Sequence, residues 1–222
     1  MAYRVLIQAG HNRPLEPGFE TGTGTYMEAE FTAALQKSLL ALFAKDARFA
    51  AIPVPGDIPN GINCDAALFL HGDGSVNQSA SGYCFGYPEY TVNRRLAGLI
   101  GEEFEKIPGH PPHRQDNYTG GLRGYYGYSR VDTPGPEVLV EHGFLTNPAE
   151  RLWLFANISK LAGAEYVAVC RYFRVTPAGD VQNRKRLQAL RAWILKRKNE
   201  GWSWQRIKAT ANWREYLRRG GK

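Results

Sequence analysis

The sequence predicts an α/β fold, with a mostly parallel central sheet flanked by helices and a small basic helical module at the C-terminus. Short apolar runs alternate with helical patterns over the first 175 residues, as in strand–helix–strand units. Hydrophobic residues make up 43% and charged residues 22% of the 222 residues, which is typical of globular proteins. We therefore expect one domain over residues 1–175 and a separate module over residues 176–222.

Apolar runs and helical periodicity predict the elements of the first domain. The extended segments are residues 5–8, 52–54, 66–70 and 138–140, and the helices are residues 28–43, 92–104 and 148–173. In the first helix, Phe31, Leu35 and Leu39 share one face, and the last helix follows the start signal Asn147-Pro148. Residues 12–25 and 108–133 read as long loops, which in compact domains are usually functional or mobile.

The C-terminal module reads as two or three short helices after a linker at residues 176–179. Its expected N-terminal caps are Asp180, Ser203 and Asn212. From residue 176 onward there are 13 Lys and Arg against 3 Asp and Glu, a charge of +10, whereas the preceding residues carry −3. A basic module of this kind indicates an anionic partner.

Several protein classes are disfavoured by composition. No apolar run approaches the length of a membrane span, and the N-terminus does not resemble a signal peptide. We therefore expect synthesis in a cytoplasm. Three scattered cysteines are too few for a disulfide framework, so reduced structural thiols are expected.

Three predicted strands run into residues suited to metal chemistry. The first strand is followed by His11, the strand at residues 66–70 by His71, and the strand at residues 138–140 by Glu141. In open α/β sheets, ligands bind at the carboxyl ends of the strands. The sequence therefore brings two imidazoles and a carboxylate to one edge of the sheet.

The helix at residues 28–43 offers a fourth group. Glu28 begins its apolar stripe, whereas Glu30 lies about 200° around the helix from it. Glu28 is therefore the better ligand, with Glu20 and Glu30 as alternatives. Two His and one carboxylate with water form a standard catalytic zinc set, so we expect Zn²⁺. Glu141 is then suited to carry a proton between water and a leaving amine.

Four motifs in this order resemble the zinc-dependent N-acetylmuramoyl-L-alanine amidase family, amidase type 3. They are VLIQAGH at residues 5–11, GTGTYMEAEF at residues 22–31, LFLHGD at residues 68–73 and LVEHGFLTNP at residues 139–148. The resemblance covers residues 3–173 and implies zinc ligation by His11, Glu28 and His71 with catalysis by Glu141. This chain departs from the family pattern at Asn12-Arg13 and at Asp73.

The resemblance implies hydrolysis of the amide between N-acetylmuramic acid and L-Ala in peptidoglycan. With its basic tail and no signal peptide, the chain looks most like a phage endolysin, which is made in the host cytoplasm and acts on the cell wall after release. We expect a monomer whose module binds anionic cell-wall polymer or a membrane surface. The alternatives are nucleic-acid binding through the basic helices, or a wall-binding module with an inactive enzyme fold.

The remaining candidate site residues belong mainly to the second long loop. Its residues 120–128 are rich in Gly and Tyr and either line a glycan groove or pack over the core. Arg123, Tyr125 and Asp73 are the candidate substrate contacts. His110 and His113 are interpreted as loop residues or substrate contacts rather than a second metal site, and His142 should point away from Glu141.

Overall fold

The computed structural model describes residues 1–12, 27–112 and 116–219. The predicted loop at residues 12–25 lies almost wholly outside these ranges, as do Arg13, Glu20 and His113. The described chain divides into two compact units, Met1–Val175 and Thr176–Lys222. No described helix is both long and apolar enough to span a membrane.

The first unit is built on a five-stranded sheet whose order is β2-β1-β4-β7-β5 in the described residues. The strands along the chain are β1 (Tyr3–Ala9), β2 (Phe49–Val54), β3 (Ile62–Asn63), β4 (Ala66–Asp73), β5 (Cys84–Gly86), β6 (Val131–Asp132) and β7 (Glu137–Phe144). All neighbours in the main sheet are parallel except β5, which runs antiparallel to β7, while β3 and β6 form a separate pair. The predicted fold class is therefore confirmed.

The helices cover the two faces of this sheet unequally. The helices of the first unit are α1 (Glu28–Phe43), α2 (Thr91–Phe104), α3 (Gly120–Arg123) and α4 (Pro148–Tyr172). α1, α2 and α4 pack with alternate residues of the strands, such as Ile7 and Leu68, in one fully buried core. On the other face, Leu6 and Phe69 pack under loop residues and the short α3.

Local sequence signals explain the start of α4 but not the second long loop. The Asn147 side chain accepts hydrogen bonds from the backbone N–H groups of Ala149 and Glu150, as expected of an N-cap followed by proline. The loop predicted over residues 108–133 instead contains α3, a 3₁₀ turn at Tyr126–Ser129, and β6. Sequence periodicity does not predict these short elements because each spans at most four residues.

The second unit contains α5 (Ala178–Asn199), α6 (Trp204–Lys208) and α7 (Ala211–Arg218). Leu190, Ile194, Ile207 and Tyr216 form its small core. Ser203 caps α6 as predicted, through a hydrogen bond from the N–H of Arg206. Two predicted caps are wrong, because Asp180 and Asn212 lie inside helices and Thr210 caps α7 through the N–H of Trp213.

Candidate metal centre

His11, Glu28 and His71 come together at the carboxyl edge of the sheet. One side-chain ligand atom from each residue lies within 4.8 Å of the others. Glu28 Oε1 is 3.2 Å from His71 Nδ1 and 3.9 Å from His11 Nε2. Glu30 is exposed, as helical geometry predicted. The assignment of these residues as metal ligands stays a prediction, but their arrangement meets its geometric requirement.

The backbone around the cluster adopts a tight geometry. His11 and Met27 have left-handed φ values of 56° and 63°. A Cβ atom on Gly10 would lie 2.5 Å from Cε1 of His71 and equally close to the carbonyl oxygen of Leu70. Glycine therefore lets the chain after β1 approach the His71 ring closely.

The surroundings of Glu28 favour its charged form. Burial alone would raise the pKa of Glu28, but the hydrogen bond from His71, the nearby charges of His71 and His11, and the backbone N–H of Gly72 together lower it. Oε1 of Glu28 accepts the Gly72 hydrogen bond over 3.0 Å. A buried carboxylate beside two imidazoles provides the N and O donors that Zn²⁺ takes in proteins.

Glu141 stands opposite His71 in the register of β4 and β7. Its Oε2 atom is buried and has no hydrogen-bond partner among the described residues. The pKa of Glu141 is raised well above its ordinary value by burial, and further by the negative charges of Asp73 and Glu28. Glu141 is thus a carboxyl group with high proton affinity beside the candidate ligands.

A cleft of about 240 Å³ opens over this cluster. Its lining consists of His11, His71, Asp73, Tyr118, Thr119, Gly121, Leu122, Tyr125, Leu139 and Glu141. The candidate ligands His11 and His71 and the candidate proton carrier Glu141 therefore face one common space. A cleft of this size accommodates a small group or a short segment of a larger molecule.

The three predicted substrate contacts differ in position. Asp73 lines the cleft and accepts a hydrogen bond of 2.6 Å from the Tyr118 hydroxyl. Tyr125 also lines the cleft, but its hydroxyl contacts Gln8 Oε1 at 2.8 Å and His71 Nε2 at 3.2 Å. Arg123 is exposed, lies outside the cleft lining, and donates to the carbonyl oxygen of Asn117 over 2.7 Å.

Two further described histidines, His110 and His142, lie outside the cleft lining. His142 points to the opposite face of β7, as expected, and is fully buried. His110 is buried among aromatic rings, including Trp153, with which it stacks at 4.8 Å between centroids. Neither ring nitrogen of His110 has a hydrogen-bond partner in the described part of the chain, so no second metal cluster forms around it there.

Sequence reasoning missed three residues around the site: Gln8, Tyr118 and Glu165. Gln8 and Glu165 each carried a detectable signal, since one interrupts an apolar strand and the other a mostly apolar stretch of α4. Both side chains are completely buried. Buried polar side chains usually have hydrogen-bond partners, so these positions indicated a network that the sequence left unassigned.

Several solved structures share the fold of the first unit. The catalytic domain of CwlV, an N-acetylmuramoyl-L-alanine amidase from Paenibacillus polymyxa var. colistinus, has a TM-score of 0.61 at 16% identity and covers 79% of this chain and 100% of its own. An N-acetylmuramoyl-L-alanine amidase from Clostridium difficile 630 has a TM-score of 0.58 at 20% identity, and the match covers 78% of this chain and 97% of that amidase. The catalytic domain of an endolysin targeting Clostridium difficile has a TM-score of 0.52 at 15% identity, and the match covers 76% of this chain and 97% of that domain.

At such identities the structural matches establish the fold alone. No curated protein sequence matches this chain. The family model described as N-acetylmuramoyl-L-alanine amidase, however, matches residues 5–171, about three quarters of the 222 residues. These residues include every candidate ligand and Glu141. The chain therefore belongs to the N-acetylmuramoyl-L-alanine amidase family, amidase type 3.

Proposed function

We propose that this protein is a zinc-dependent peptidoglycan amidase that cleaves the amide between N-acetylmuramic acid and L-Ala. The observation that carries the proposal is the meeting of His11, Glu28 and His71 within 4.8 Å beside the cleft that Glu141 lines. An inactive wall-binding fold would have no physical need to keep this set together.

The residues present fit Zn²⁺. Two imidazoles and a buried carboxylate are a common catalytic ligand set, which leaves a coordination position for water or substrate. The lowered pKa of Glu28 favours an ionised carboxylate, which is the form that binds a metal. When bound, zinc lowers the pKa of water and polarises a carbonyl group.

The residues of the site have two separate roles, metal ligation and proton transfer. His11, Glu28 and His71 hold the metal, and the cleft above them places the scissile carbonyl. Glu141 accepts the proton of the attacking water and passes it to the nitrogen of L-Ala as the amide breaks. Its place in the cleft lining and its buried Oε2 atom, which has no hydrogen-bond partner among the described residues, suit it to exchange that proton.

Asp73 and Tyr118 shape one wall of the cleft. The Tyr118 hydroxyl donates to Asp73 Oδ2, while the backbone N–H of Gly74 donates to Oδ1. These contacts hold the Asp73 carboxylate in one orientation. Together with Glu141, it lines the cleft with carboxyl groups, which favours a cation and a leaving amine over an anionic group.

Digestion of purified peptidoglycan tests the activity directly. The metal-free protein, obtained with a chelator, should leave the polymer intact, and added Zn²⁺ should restore cleavage. Mass spectrometry should then show intact lactyl carboxylates on muramic acid and new L-Ala amino termini. Cleavage between sugars or within the peptide, or full activity after metal removal, would refute the proposal.

We further propose that the protein acts as a phage endolysin, made in the host cytoplasm and active on the cell wall after release. The basic module at residues 176–222 would hold the enzyme, as a monomer, at anionic wall polymer or membrane surface. Its charge of +10 and the stacking of Arg206 on Trp202, at 3.8 Å, support a surface for anionic polymers.

Deleting residues 176–222 tests the role of the module. We expect weaker sedimentation with cell walls and slower lysis of walls, but unchanged cleavage of short soluble muramyl-peptides. Equal wall binding by both forms would contradict the proposal. A gel shift with DNA at moderate salt provides the control, since tight DNA binding would instead support a nucleic-acid partner.

A further inference from the structure

A buried glutamine on β1 has its amide orientation determined by its neighbours. Gln8 Nε2 lies 2.6 Å from the carbonyl oxygen of Gly56, which can only accept a hydrogen bond. The amide nitrogen must therefore face Gly56, and Oε1 faces the Tyr125 hydroxyl at 2.8 Å. Gln8 is completely buried, so water does not compete for these contacts.

The position of Gln8 Oε1 determines where the Tyr125 proton lies. An amide oxygen carries no proton, so the Tyr125 hydroxyl donates its single proton to Gln8. The phenol oxygen is then left to accept from Nε2 of His71, which lies 3.2 Å away.

These directions decide which nitrogen of the His71 ring is left for a metal. Nε2 carries a proton and donates to Tyr125, so Nδ1 is the nitrogen that can bind a metal, by giving up the proton of its hydrogen bond to Glu28. Nδ1 faces Glu28 Oε1 at 3.2 Å, on the side where the candidate ligands converge. Metal-binding histidines commonly have their second ring nitrogen held by such a hydrogen bond.

We propose that Gln8 and Tyr125 form a positioning relay that holds His71 in the tautomer whose Nδ1 binds the metal. The inference rests on the proposed zinc-dependent function and gives Gln8, which lies within the first family motif, a role that the resemblance did not assign. It also gives Tyr125 a different role from the substrate contact expected from sequence. Tyr125 acts through His71, as a positioning residue rather than a catalytic one.

Nitrogen-15 NMR of the full-length wild-type protein tests the tautomer without any substitution. In the zinc-loaded protein, His71 should show a protonated Nε2 and a metal-bound Nδ1. Metal bound to Nε2 would overturn the relay while leaving the zinc-dependent function intact. Failure of the wild-type protein to bind zinc at all would overturn both, so the two proposals fail in distinguishable ways.

Zinc affinity, measured by competition with a fluorescent chelator, tests the relay residue by residue. Tyr125→Phe keeps the ring but removes the hydroxyl, and should weaken zinc binding by about 10- to 100-fold. Gln8→Leu should have a similar effect. The double variant should lose little more zinc affinity than the single variant with the larger loss, because both substitutions break the same chain of hydrogen bonds.

Tyr128→Phe is the matched control. Tyr128 packs against the Tyr125 ring, but its hydroxyl donates to the carbonyl oxygen of Leu122 at 2.9 Å and takes no part in the relay. Its zinc affinity should equal that of the wild type. Thermal unfolding of each metal-free variant shows that it is folded. Equal zinc affinity of Tyr125→Phe and Tyr128→Phe would refute the relay.

Discussion

The side chain of His142 supports the backbone of His71 from the opposite face of β7. Its Nδ1 donates to the carbonyl oxygen of His71 over 2.8 Å, and its Nε2 lies 3.0 Å from Glu165 Oε1. The contact falls at an irregularity in the β4–β7 ladder, between the pairs His71–Glu141 and Asp73–Phe144. His142 thus provides a hydrogen bond to the backbone carbonyl of His71, a candidate ligand, next to the irregularity in the ladder.

We expect His142→Leu to destabilise the protein by about 2–4 kcal/mol, because it leaves the His71 carbonyl and the Glu165 carboxyl buried without their partner. Urea unfolding of the metal-free protein measures this free energy. The double variant His142→Leu/Glu165→Leu should recover part of the loss, since it also removes the buried carboxyl. If the single variant is as stable as the wild type, the contact has no structural role.

Glu141→Gln should keep the metal but lose turnover. Removal of the proton carrier should lower the rate by about 10²- to 10⁴-fold, while zinc affinity changes little. The measurements are peptidoglycan cleavage and zinc content. Glu137→Gln is the matched control, because it makes the same change on the same strand, outside the cleft lining. Undiminished cleavage by Glu141→Gln would remove Glu141 from the mechanism.

Gly10→Ala should damage the metal centre. The added methyl group would lie 2.5 Å from His71 Cε1, so the ring or the chain after β1 must move. We expect zinc affinity to fall at least about tenfold, as when a ligand's support is lost. Gly163→Ala in α4 is the control, because its methyl group would meet no atom within 4 Å. Similar zinc affinity in both variants would contradict the close approach.

His110 should make the metal-free protein sensitive to acid. Burial, and secondarily the charge of His142, lower the pKa of His110 to about 3. In the unfolded chain, His110 binds a proton near the ordinary histidine pKa of about 6.5. The contribution of neutral His110 to the free energy of unfolding is therefore fully present above that pH and is lost as the pH falls towards 3. The slope from one such group is at most about 1.4 kcal/mol per pH unit.

The variant His110→Phe should remove that acid sensitivity. Urea unfolding of the metal-free protein at pH 7, 5.5 and 4.5 should show a shallower decline in the variant than in the wild type. At pH 7 we expect the variant to be at least as stable, because it replaces two buried nitrogens that have no described partner with apolar atoms. Parallel pH profiles would show that another group causes the acid sensitivity.

The sequence by itself determined the main sheet, the long helices and the candidate metal ligands. Apolar runs mark β1, β4 and β7 because parallel strands are buried on both faces. His11 and His71 follow from the rule that parallel strands present their carboxyl ends at one edge, and Glu28 from its phase on α1. Each inference needs only local periodicity and one general property of parallel sheets.

Only the tertiary structure decided how those ligands are supported. The hydrogen bond from Tyr125 to Gln8 spans 117 positions in the sequence, and that from His142 to His71 spans 71. The antiparallel β5 has three residues and is assigned as a strand through its pairing with β7. Such contacts depend on which side chains face each other after folding, and local sequence periodicity carries no information about that.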